Sequence, residues 1–186
     1  MPMTVTLEIS DVELEYFREV MHRARSVARQ RPAHEIAAAA SAAVSKLASG
    51  THSPFVLARI GKVKALVHML EDAEWQLPEP DRKRVLEGLA YVADANDMVP
   101  DDVPVLGLVD DAIMLELVLR ELRHELDGYE EFDAFRREEL EERSHRTVSR
   151  EDWLESKRSA LFERMRERRA RDLESSGPGF PLITHW

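Results

Sequence analysis

The chemistry this chain could do is concentrated between Asp94 and Asp111. Six aspartates, two prolines and one glycine fall within those eighteen residues. Clustered carboxylates are what hard divalent cations such as Mg²⁺ and Ca²⁺ require, because each ion takes several oxygen ligands. Asp97, Asp101, Asp110 and Asp111 are the candidate metal ligands, provided the loop folds back across the start of the helix that follows it. The spacing is not that of an EF-hand, since neither the Asp-x-Asp-x-Asp-Gly run nor a Glu at the twelfth position is present. A buried Asp110–Asp111 pair could also hold a proton for acid–base work, although no substrate-binding group is evident nearby.

The same residues have a purely structural reading. A short carboxylate accepts backbone N–H bonds, so Asp97 can close a turn, Asp101 can cap a turn between the prolines, and Asp110 or Asp111 can cap the next helix. Each cap contributes about 0.5–2 kcal/mol. Pro100 and Pro104 stiffen the connection, and Gly107 permits close approach or positive φ. Capping leaves two features over: Asp102, and the doubling of Asp110 with Asp111.

The rest of the chain offers little chemistry. With no cysteine, disulfides, thiolate metal sites and cysteine nucleophiles are excluded. Glu121 and His124 stand at i, i+3, the spacing used in di-iron bundles, but a second Glu-x-x-His is missing and His68 with Glu71 gives only a reversed pair. His124 is therefore expected on the surface or in a salt bridge. No Gly-x-Ser-x-Gly, phosphate-binding loop or dinucleotide fingerprint occurs among the seven glycines.

The elements that must position these residues read as helices. Thr4–Ile9 alternates like a short extended segment, and Ser10-Asp-Val-Glu13 has the form of a capping box before an apolar face of Val12, Tyr16 and Val20. An alanine-rich helix follows over 33–49, with Gly50 as its stop. A third helix starts at Ser53–Pro54 and ends near Trp75–Leu77. Pro78 and Pro80 mark a turn, after which Asp81 caps a helix carrying Val85, Leu89 and Val92. Beyond the aspartate segment, Ile113 to Leu126 is apolar around most of its circumference and is expected to be the central helix, with Gly128 as its kink or end. Tyr129–Arg143 continues helically, Ser149 caps a last helix with Leu154, Leu161 and Met165 on one stripe, and Phe180–Trp186 is a short apolar tail. The fold class is all-α: a single domain of six to seven helices, with an extended N-terminal segment and a C-terminal helical arm. A core is assigned to residues 1–143, and a charged helix with its tail to 144–186.

Asp97, Pro100, Asp101, Pro104, Gly107, Asp110 and Asp111 together resemble the hallmark of the YkvA-type family, a small bacterial domain of unknown function. The resembling region covers about 55–126. Ala95 and Asp102 depart from the family pattern, the first replacing a usual proline and the second a usual apolar residue. The resemblance implies a helical fold and brings no activity with it.

Composition narrows the partners. The chain is 186 residues long, 44% hydrophobic and 33% charged, with net charge −10. That charge is uneven: residues 1–93 are neutral, 94–142 carry −13 and 143–186 carry +3. An acidic chain whose C-terminal arginines alternate with glutamate repels nucleic acid. No apolar run reaches the roughly 18–20 residues of a membrane span, and the acidic surface argues against peripheral membrane association. The opening residues show no secretory signal, so the expected location is the cytoplasm. These features point to a non-catalytic interaction or scaffold protein whose partner is another protein or a second copy of itself, with no resident cofactor. The alternative is a divalent-metal-binding protein, with hydrolytic activity as one outcome of that chemistry.

Overall fold

The alanine-rich segment after Pro32 forms the first helix of a computed structural model that describes residues 30–49, 54–93, 109–142 and 149–176, with isolated positions between 10 and 26. Helix α1 spans Ala33–Ala48 and starts where the Pro32 carbonyl accepts the Glu35 and Ile36 N–H groups. Ile36, Ala37, Ala40 and Val44 form its buried face. Small side chains there let its neighbours α2 (Pro54–Glu71) and α3 (Glu79–Ala93) lie close.

Helix α2 ends about one turn earlier than its apolar pattern suggests. Asp72 causes the stop: its Oδ1 accepts the N–H groups of Glu74 (2.9 Å) and Trp75 (3.2 Å), giving the backbone an alternative to the helical ladder. Gln76, at φ 51°, then turns the chain toward α3. Asp81 is not the cap of α3. The helix has already begun at Glu79, and Asp81 lies buried in its first turn.

Helix α4 (Val109–Glu121) carries the central role read from its composition. Met114, Leu115, Leu117, Val118 and Leu119 are all buried, and the helix packs on α2, α3 and α5 (Arg123–Glu142). It stops at Leu122, short of the expected Leu126. The carbonyls of Arg120 and Glu121 accept from the guanidiniums of Arg123 (3.1 Å) and Arg84 (3.4 Å), and side chains entering the ladder in this way bend a helix. Gly128 does not end the helix, since α5 runs through it. It lies in the interior of the helix, where a Cβ would stand 2.7 Å from Met165 Sδ and 3.7 Å from Trp75 Cη2. The glycine is a point of close approach for α6 (Arg150–Ser176).

Ser149 caps α6 as expected: the Asp152 N–H donates to its Oγ, which in turn donates to Asp152 Oδ2 (2.6 Å). The helix runs along α5, and Leu154, Leu161, Phe162 and Met165 join the same apolar core that begins at Ile36. The architecture is all-α, with six helices and no strand among the described residues. No helix there is long and apolar enough to cross a membrane. The extended segment 4–9, the capping box at 10–13, Gly50, Ser53, the Asp97–Gly107 connection and the 180–186 tail lie outside the described residues, wholly or in the side chains that matter.

Candidate functional site

Of the four candidate metal ligands, Asp97 and Asp101 lie outside the described residues. Asp110 and Asp111 occupy the first turn of α4, where the helix dipole favours negative charge, and their side chains are likewise outside the description. Among the described residues no group of three or more His, Asp or Glu is placed to hold a metal ion. The polar constellations that are visible lie elsewhere, most of them at the junction of α6 with the rest of the bundle.

The first is centred on Asp72. With Oδ1 engaged by the loop backbone, its Oδ2 accepts from the Tyr129 hydroxyl (2.9 Å) and from Arg136 Nη1 (2.6 Å). Burial alone would raise the Asp72 pKa, but the bonds from Tyr129, Arg136 and the Glu74 backbone outweigh it and hold the carboxyl below its ordinary value. The same environment pushes the Tyr129 phenol up to about 12, through burial first and the neighbouring carboxylate second. Arg136 also reaches Asp133 (2.7 Å), while Arg150 of α6 pairs with Glu74. Arg158, only 4% exposed, donates to the Glu74 carbonyl (2.6 Å) and pairs with Glu155. The loop between α2 and α3 is thus held by α5 from one side and by α6 from the other.

Trp75 fills the space beneath this loop. It is fully buried, with Phe162 (4.6 Å between centroids), Phe132 (5.0 Å) and Tyr129 (5.7 Å) around it at tilted or edge-on angles. Such arrangements suit the aromatic quadrupole. Beside the loop is a cavity of about 350 Å³, whose lining includes Glu74, Gln76, Arg150, Glu151, Leu154 and Arg158. Its two arginines already hold Glu74 and Glu155, so the lining neutralises itself.

The second constellation is centred on Glu125 of α5, which is 0% exposed. Its Oε1 accepts from Arg84 Nε of α3 (2.9 Å) and Arg169 Nη1 of α6 (2.6 Å). Arg169 also reaches Asp81 of α3 (2.5 Å), so one buried cluster joins three helices. One turn further along α6, Asp172 meets both Arg123 and His124 Nε2. His124 accordingly meets a carboxylate, an ion pair whenever the imidazole is protonated. Leu122, at the junction of α4 and α5, lies between His124 and Glu121. Two smaller links complete the set: Glu131 with Lys157 (2.7 Å) and Arg164 (2.8 Å), and Glu116 with Arg59 (3.0 Å) and Arg120 (2.9 Å).

Sequence reasoning passed over Asp72, Glu125, Arg158 and Arg169. A signal for the two arginines was present. Leu154, Arg158, Leu161, Met165, Arg169 and Asp172 fall at steps of three and four, so the charged residues share the apolar stripe and must be buried against partners. The identity of those partners (Glu125, Glu74 and Asp81), 44 to 88 residues away in sequence, has no local signature. Comparison with family models, characterised proteins and solved structures finds no match to this chain.

Proposed function

We propose that the chain is a non-catalytic interaction or scaffold protein of the cytoplasm that acts by binding protein, including further copies of itself. One observation carries the reading. The charged groups that point inward (Asp72, Asp81, Glu125, Arg136, Arg158 and Arg169) are all engaged in tying a helix either to another helix or to the α2–α3 loop. Breaking such buried pairs is costly, so the bundle is fixed in one shape. The charges without internal partners are left on the outside of that rigid frame, where they can select a partner by complementarity. The YkvA-type resemblance of the Asp97–Asp111 segment belongs to the same proposal: it adds a helical domain and no activity.

Light scattering on the full-length chain after size exclusion tests this, over about 5 to 500 μM, the range in which a weak protein contact is populated. A mass that rises with concentration above that of one chain is expected. A strict monomer throughout would overturn self-association.

A further inference from the structure

We infer that the exposed face of α2 binds the acidic edge of α5 on a second copy of this chain. The inference deepens the interaction reading and rests on it. Leu57, Gly61, Lys64 and His68 follow one another at steps of four, three and four along α2, so they share one face of the helix, with Ala58 and Lys62 beside them. All six are exposed. Leu57 keeps 47% of its surface open to solvent. Nothing lies within 4 Å of where a Cβ on Gly61 would be, so a second helix can approach the backbone there. Lys62, Lys64 and His68 have no ion-pair partner among the described residues. Arg59, at the margin, is held by Glu116, and Glu71 is the one carboxylate at the end of the stripe.

The counterpart is on α5. Asp127, Glu130, Ala134 and Glu138 form an exposed edge at steps of three, four and four. Glu130 and Glu138 lack ion-pair partners among the described residues. Asp127 has a long contact with Arg168 (3.8 Å), and the neighbouring Arg137 is held by Asp133 (2.7 Å). Each stripe spans eleven residue steps, about 16 Å at 1.5 Å per residue. One is cationic with small residues at its centre. The other is anionic with an alanine at its centre. They match in length, sign and room for close approach.

A second copy fits better than a polyanion because the chain carries −10 overall and −13 over residues 94–142, which repels nucleic acid and anionic lipid at a distance. Two copies also repel at long range. At physiological ionic strength that repulsion is screened beyond about 8 Å, whereas ion pairs in contact survive. A single helix-on-helix contact of this length buries less than a standard interface, so a dissociation constant on the order of 10 μM or weaker is expected.

The test is sedimentation equilibrium on the full chain with paired charge reversals, each confirmed folded by circular dichroism. K62E/K64E should weaken self-association at least about tenfold. K83E/R171E, which changes the net charge equally at two other exposed positions, should not. E130K/E138K should also lose self-association, and mixing it with K62E/K64E should restore a heterodimer near wild-type strength. Unchanged association of K62E/K64E, equal weakening by K83E/R171E, or a mixture that stays monomeric would each overturn the α2–α5 assignment and leave the interaction reading standing. A wild-type chain that is monomeric at every concentration would overturn both.

Discussion

The α1–α4 half of the bundle and the α5–α6 half are held together by different physics. In the first, α4 is buried on nearly every side by aliphatic residues, and α1 packs through alanines. In the second, apolar residues alternate with arginines and aspartate along α6, and the inward charges meet partners on other helices or on the α2–α3 loop. Apolar burial is non-directional and involves no titrating group. Ion pairs are directional and depend on both. The first half therefore sets stability. The second sets how α6 is oriented, because each guanidinium reaches its carboxylate in one register.

Paired truncations are the sharpest way to break this comparison. Leu115→Ala, at a fully buried position of α4, should cost about 2–5 kcal/mol in urea unfolding. Glu125→Ala should cost about 3 kcal/mol, toward the low end for a broken buried pair because Arg84 remains 40% exposed. The Glu125→Ala loss should be non-additive with that of Arg169→Ala, its bonded partner. Full additivity of the two would show that this pair does not hold the second half.

Acid titration of the wild-type chain should separate them next. Asp72 and Glu131, which residues of α5 and α6 hold, both have lowered pKa values: at Asp72 the bonds from Tyr129 and Arg136 outweigh burial, and at Glu131 the bond from Lys157 leads, followed by the Arg164 charge. Because folding lowers these values, the stability they contribute is complete above the ordinary values, 3.8 for Asp72 and 4.5 for Glu131. It is lost as the pH falls through the lower folded-state values. The melting temperature should stay level from about pH 8 to pH 5 and fall below about pH 4. Trp75 and the Trp153–Phe135 stack (3.7 Å between centroids) both lie on the α5–α6 side, so near-ultraviolet circular dichroism should change before the helical signal does. Simultaneous loss of both signals would contradict a separately titrating half.

The smallest effect concerns one glycine in each half. A Cβ on Gly88 would meet Leu122 Cδ1 at 2.8 Å, and one on Gly128 would meet Met165 Sδ at 2.7 Å. Methionine is unbranched and repacks more easily than leucine. Gly88→Ala should therefore destabilise by about 1–2 kcal/mol, and Gly128→Ala by less, since its helix-propensity gain of about 0.5–1 kcal/mol offsets more of a softer clash. Thermal unfolding of the two variants checks the order, and the reverse order would mean that the α5–α6 seam is the more rigid one.

Much of the fold was legible without coordinates. The small residues of α1, the continuous apolar run of α4, the Ser149 cap and the Leu154–Leu161–Met165 stripe are local patterns. Each follows from side-chain periodicity and capping chemistry over a few turns. Two of the misplaced boundaries share one cause. At Glu71 and at Leu122 the end of the helix is set by side chains bonding to backbone: Asp72 on the Glu74 and Trp75 amides, and Arg84 and Arg123 on the Glu121 and Arg120 carbonyls. For Asp81 the deciding partner is Arg169, 88 residues away, which draws the carboxylate inward.

The sequence by itself determined an all-α chain with a central apolar helix, because helical periodicity and hydrophobicity are written locally along it. It also determined that charge is unevenly distributed, which no folding can alter. Tertiary structure alone decided which carboxylate meets which guanidinium, since a charged residue on an apolar stripe declares that it needs a partner and cannot say where that partner lies. It decided too that Gly128 marks a contact with Met165 rather than a helix end, because a missing side chain carries no trace of the neighbour that fills its place.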